Sequence, residues 1–322
     1  MALFFHKSYK KLHSPHSKLH TFLKCSLSNT PGSIPPFTSP SARHMLKTEG
    51  AKRMRLWVAD GEAGLMRGRD GDFQQIGPPG DALCAGWGRV YCAGQGRFIC
   101  YDRERGEAVY DAATPPGINA LTILRNRVCA LSGDADSVTA FSAMTGEILC
   151  SAPAGSYPRD LCVSSRGNFL AVAGGAAGRV YLMDEELRCL RAYPVPGTVC
   201  GVCFLPRGMA ALCAVETGEL SARLYAIRYR GATEEIAAFP FLPSCLCGMT
   251  DGSCAAGCHG EAILISTNKK AAFRQPVSCP VRIRPSRLGP LICDCWQGTV
   301  FPMGGLPLYQ GPCPQDALLL PS

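Results

Sequence analysis

The stretch GRVYLMDEELRCLRAYPV, residues 178–195, reads as a hairpin of two short strands. Successive strand side chains point to opposite faces, so Val180 and Leu182 share one face and Tyr181 and Met183 the other. Asp184 opens the turn, since an aspartate side chain can hydrogen-bond the backbone two residues on, and Leu187 to Tyr193 run back. The same phrase recurs along the chain: Gly, a short apolar alternation, a polar turn, a second apolar run. That recurrence decides the architecture.

Strand-like openings that break at Gly begin at residues 56 (LWVADG), 90 (VYCAGQG), 128 (VCALSGD), 170 (LAVAGGA), 211 (ALCAVETG), 255 (AAGCHG) and 291 (LICDCWQG). A second strand follows each, as in RFICYDRERGE or SVTAFSAMTGE, and then a third apolar piece such as NALTILRNR or GVCFLPRGM. Spacings of about 34 to 45 residues match one four-stranded antiparallel blade per copy. Seven copies predict an all-β, seven-bladed β-propeller over residues 54–322. A β-helix would need a shorter period and a β-sandwich would not repeat, which leaves two sandwich domains as the alternative. The first copy lacks an inner strand before Leu56, whereas the last ends with an extra one, Ala317 to Leu320. Pairing the two closes the ring and removes an exposed sheet edge.

The segments SVTAFSAMTGEIL, RFICYDRERGEAV and GSYPRDLCVSSRGNFLAV (residues 155–172) resemble YVTN-type propeller repeats, in which a hydrophobic strand is followed by a Thr-Gly pair, then Pro and a turn. The resemblance runs from Met54 to the C-terminus and is best in copies two to four. It implies the propeller fold. It says little about activity, because that fold hosts lactonases, quinoprotein-like proteins, surface proteins and plain scaffolds. The Trp-Asp dipeptide of WD-type propellers is absent.

The net charge of +8 is concentrated in residues 1–53, which hold nine Lys or Arg against Glu49 alone. The remaining 269 residues carry 24 bases and 24 acids, so the body of the protein lacks the electrostatic footprint of a nucleic-acid binder. Residues 1–53 read as a disordered basic extension rich in Ser, Pro and His. MALFF is too short for the core of a secretory signal, and no run reaches the length of a membrane span. Glu49-Gly50-Ala51 can be encoded by a purine-rich ribosome-binding sequence, so in a bacterial gene translation could begin at Met54. Nineteen cysteines in a long chain, with Cys84, Cys92, Cys100, Cys129, Cys162, Cys203 and Cys213 at strand positions, read as reduced thiols serving as small hydrophobes in a cytoplasmic monomer.

The individual motifs point away from chemistry. CAAGCH (254–259) misses haem-attachment spacing by one residue, and a strand would place Cys254 and Cys258 on one face with His259 opposite. CGVC (200–203) reads as a buried strand pair, LICDCWQG as a strand with Cys293 and Cys295 on one face, and GDADS (133–137) as a hairpin turn. No metal or cofactor site is expected. Aligning the third segments places Asp81, Asn119, Asp160, Gly201, Cys245, Arg282 and Asp316 at equivalent positions, just before each inner strand, with Arg159 adjacent. Equivalent positions in a toroid form a ring, and this one should surround one mouth of the central channel. Mixed charge there suits a small polar or zwitterionic ligand, or a partner's Lys or Arg finger. Strand-entry capping by short Asp and Asn side chains is the structural alternative. The expectation is a non-catalytic binding scaffold without nucleic-acid or membrane partners. A small-molecule enzyme of the lactonase or quinoprotein-like kind is the alternative.

Overall fold

In a computed structural model of the chain the described residues are 54–322, apart from 70, 218, 268, 269 and 322. The basic extension expected over residues 1–53 lies outside them. The described chain forms seven four-stranded antiparallel sheets and no helix, so the seven-bladed propeller is the observed fold. Blade 1 combines β1 (Met54–Asp60), β2 (Gly64–Arg69) and β3 (Asp72–Gly77) with β28 (Pro314–Pro321) from the far end of the chain. The remaining blades each use four consecutive strands. Their innermost members are β4 (Ala82–Gly86), β8 (Ile118–Leu124), β12 (Asp160–Val163), β16 (Thr198–Leu205), β20 (Pro243–Gly248) and β24 (Pro280–Ser286), in blades 2 to 7.

Closure follows the expectation. β28 pairs antiparallel with β1, Trp57 opposite Leu318 and Leu56 opposite Leu319, so the C-terminal strand is the innermost strand of the first blade. The opening hairpin is also as read. Strands β14 (Arg179–Met183) and β15 (Cys189–Pro194) pair, and the Asp184 carboxylate accepts the backbone N–H of Glu186 and Arg188 in the turn between them. The return strand starts at Cys189 and not at Leu187, because Leu187 is a buried turn residue at φ 62°.

Alternation explains why both faces of each blade are apolar. Val180 and Leu182 enter the cluster shared with blade 5, where they meet Val202 and Met209. Met183 and the ring of Tyr181 enter the cluster shared with blade 3, against Leu131 and Val138. Every neighbouring pair of blades encloses such a cluster, so the core is a ring of seven wedges. Cysteine fills these wedges as expected at Cys84, Cys92, Cys100, Cys129, Cys203 and Cys213, all buried, whereas Cys162 is half-buried. Burial pushes the Cys129 thiol up to about 12, which keeps it protonated and apolar in character. Cys295 departs from the sequence reading: β25 (Gly289–Asp294) ends one residue before it, and Cys295 sits in the following turn.

That strand ends at Asp294 because its carboxylate caps the loops around it, accepting the N–H of Ser278, Cys279, Trp296 and Gln297. Asp60, at the same place in blade 1, accepts from Glu62, Ala63 and Cys313 and from the Tyr309 hydroxyl of blade 7.

Candidate functional site

Each innermost strand offers one row of backbone N–H and C=O groups to its own blade and the other row to the channel. The channel-facing row has no strand partner, so side chains, water or a ligand must satisfy it. Around the entry face, where the chain enters the inner strands, a β-bulge sets which side chains do so. Asn119 is bulged out of the pairing between Ile118 and Ala120, as the extra residues 200, 244, 281 and 315 are in blades 5, 6, 7 and 1. In blades 2 and 4, Asp81 and Arg159 take that place, each donating its N–H to the carbonyl, of Ala93 and Ala173, that faces the next residue.

The bulge corrects the sequence alignment. The first regularly paired residues are Asp316, Ala82, Ala120, Asp160, Gly201, Cys245 and Arg282. Five of the seven expected residues occupy this ring. Asp81 and Asn119 fall one residue earlier, and in a strand a one-residue slip moves a side chain to the other face. Asp81 is exposed, and Asn119 and Arg159 are half-buried. The Asn119 amide donates to the Pro158 carbonyl at 2.8 Å, tying blade 3 to the loop that enters blade 4.

The three remaining charged residues are drawn inward. Arg282 reaches from blade 7 across the channel to Asp160 of blade 4, Nη1 to Oδ1 2.9 Å, and its Nη2 donates to the Asn119 carbonyl of blade 3. The other Asp160 oxygen accepts the Val202 N–H of blade 5 at 3.2 Å. Burial lifts the Asp160 carboxyl above the ordinary carboxylate range, with Arg282 pulling the other way.

A second pair lies one layer deeper. Arg284 forks onto Asp316 of blade 1, Nε to Oδ1 2.9 Å and Nη2 to Oδ2 2.6 Å, and Nη2 also donates to the Leu83 carbonyl of blade 2 at 2.8 Å. Leu83 returns its N–H to Asp316 at 2.9 Å. Burial works against the Arg284 charge, but the Asp316 carboxylate more than offsets it and holds the guanidinium protonated. The two networks therefore occupy the channel-facing edges of blades 2, 3 and 5 and cross-tie six of the seven blades. Arg284 lies outside the expected ring, which holds one residue per blade. The signal was present in RIRPSR, where two arginines alternate with apolar residues in one strand and so share a face.

The other motifs are structural. Cys254 and Cys258 are buried in one wedge, and His259 stands edge-on to Trp296, its imidazole pKa lowered by burial. Residues 133–136 form the turn read from GDADS. Among the described residues no group of three or more His, Cys, Asp or Glu side chains is placed to hold a metal ion.

Comparison with known proteins bears on the fold alone. No family model matches the chain, and no curated protein sequence does. Solved structures match over most of the chain. A functionally unknown protein from Desulfotomaculum acetoxidans superposes with a TM-score of 0.66 at 9% identity, covering 83% of this chain and 98% of its own. A protein from Bacteroides fragilis named a putative 6-phosphogluconolactonase gives 0.62 at 12%, covering 85% and 99%. The hydrazine synthase of Kuenenia stuttgartiensis gives 0.59 at 11%, covering 69% and 75%. These define the class, a seven-bladed β-propeller. At such identities they carry no activity across.

Proposed function

We propose that this propeller is a non-catalytic binding scaffold that recognises a small polar ligand, or a Lys or Arg finger of a protein partner, at the entry mouth of its channel. The observation that carries the reading is the pairing itself. Both channel arginines are committed to a carboxylate and a backbone carbonyl, so they act as fixed dipoles in a rigid floor. Above that floor, Asp81, Asn119 and Arg159 offer the polar contacts, with Asp160, Arg282 and Asp316 behind them. The abundance of free thiols suits a reducing compartment such as the cytoplasm, and the repeat pattern suits a YVTN-type relative. A thermal-shift screen of free amino acids and short Lys- or Arg-containing peptides tests the proposal. A probe that raises the melting temperature of the parent should fail to do so for an Asp81→Ala/Arg159→Ala variant, which spares both internal pairs. If every stabilising probe acts equally on the variant, the entry mouth is not the site. The lactonase-like alternative rests on the name of one structural neighbour. Ring-opening of a sugar lactone by the purified protein would favour it instead.

A further inference from the structure

The opposite end of the channel differs in chemistry. Toward the exit face, where the inner strands end, a cavity of about 270 Å³ is lined by Ala85, Leu121, Ile123, Val163, Pro285 and Leu318, together with Cys84, Thr122 and Arg284. The walls are apolar and two side-chain donors are unspent. Arg284 uses Nε and Nη2 on Asp316 and Leu83, and its Nη1 makes no hydrogen bond among the described residues. Its side chain is 19% exposed while that of Asp316 is fully buried, so the ion pair is a locked dipole with its positive end accessible. The half-buried Thr122 hydroxyl is likewise without a protein partner among the described residues. Ala85, Ile123 and Val163 belong to the channel-facing rows of their strands and present backbone N–H groups there.

The turn from β4 to β5 (Arg89–Gly94) is a two-residue hairpin loop, Trp87-Gly88, with φ of 50° and 70°. Such loops favour Asn-Gly, because both positions need left-handed backbone. Here that conformation is imposed on a tryptophan that is 54% exposed. The turn lies beside blade 3, where a Cβ on Gly86 would be 2.7 Å from Cδ1 of Ile123, itself a cavity-lining residue. A bulky residue held in a disfavoured conformation with its ring in solvent is a pattern that binding sites use.

We infer that the exit mouth is a binding site for a monocarboxylate with a compact apolar body. The carboxylate would be held by Arg284 Nη1 and the Thr122 hydroxyl, and the body would lie between the aliphatic walls and the Trp87 ring. The size is suitable, as an apolar cavity of about 150 Å³ takes benzene. This site shares Arg284 with the floor of the entry mouth but opens on the other face, and its argument does not rest on ligand binding at the entry.

The test uses benzoate as probe, read by saturation-transfer NMR and calorimetry on the full chain, with benzyl alcohol and benzylamine as neutral and cationic controls. A dissociation constant on the order of 1 mM is expected for so small a ligand, with both controls at least about tenfold weaker. Val163→Phe, which fills the cavity from blade 4 and leaves both members of the ion pair in the sequence, should abolish binding, and Trp87→Ala should weaken it several-fold. Asp81→Ala, at the other mouth, should leave it unchanged. Equal binding of benzoate and benzyl alcohol, no saturable benzoate binding, or binding that survives Val163→Phe would overturn the inference.

Discussion

Replacing Asp316 with Ala should be among the most damaging single changes in this protein, although the residue lies a few positions from the end of the chain. Its carboxylate accepts two hydrogen bonds from Arg284, one from the Leu83 N–H and one from its own neighbour Ala317, and it is fully buried. Removing one partner of a buried ion pair leaves an uncompensated charge, at a cost of about 3–5 kcal/mol. The orphaned Leu83 N–H adds about 1–3 kcal/mol. Allowing for overlap, the expected loss is about 4–6 kcal/mol, or about 10–20 °C in melting temperature for a domain of this size. The second arm is Arg284→Met/Asp316→Leu, which removes both charges and leaves the Leu83 backbone groups and the Ala317 N–H unpaired. It should lose about 1–3 kcal/mol. Urea titration followed by both circular dichroism and tryptophan fluorescence measures the two, and the difference should persist in about 1 M salt because buried pairs are weakly screened. A single variant that loses less than about 1 kcal/mol, or a double variant as damaged as the single, would show that the Asp316 charge is not what stabilises this part of the channel.

Further outcomes follow from the same contacts. Deleting residues 314–322 strips β1 of its inner partner and exposes its edge, so the truncated chain should lose its cooperative melt; an unchanged melting curve would contradict closure by β28. Because the folded Asp160 carboxyl titrates above its unfolded value, its contribution to stability is complete below about pH 4 and is lost as pH rises through the folded value. The stability of the parent minus that of Asp160→Asn should therefore fall as pH rises from about 4 toward neutrality, and a rise would show that Arg282 outweighs burial. Trp87→Asn relieves the left-handed backbone and should gain about 0.5–1 kcal/mol, with no gain meaning that the turn is unstrained. Under native conditions a thiol reagent should label exposed Cys189 quickly and buried Cys84, Cys92 and Cys129 only on unfolding; rapid labelling of those three would show that the wedges are open.

The repeat was legible because blades impose a period: apolar alternation, Gly-terminated hairpins and the spare strand at the C-terminus fix blade number, strand order and ring closure. Equivalent positions were less legible. A bulge adds one residue to five of the inner strands without altering composition, so Asn119 lines up with Asp160 on paper and sits one residue away in space, while Asp81 of blade 2 has Arg159 of blade 4, and not Asp160, as its equivalent. The fate of the channel charges was hidden for a different reason. Arg282 pairs with a residue 122 positions away, and nothing local to either says so. The exit cavity is built from ordinary aliphatic residues at strand ends, whose role emerges only when five inner strands converge.

Buried ion pairs cross the channel and tie the blades to one another. The most direct test is a double-mutant cycle on Asp160 and Arg282, which face each other from blades 4 and 7. Asp160→Asn, Arg282→Met and the double variant would be compared by urea unfolding at low and high salt. The account predicts a coupling energy of about 1.5 kcal/mol or more that salt does not erase. A coupling within about 0.3 kcal/mol of zero would mean that the two side chains act independently and that the channel is not tied across its centre.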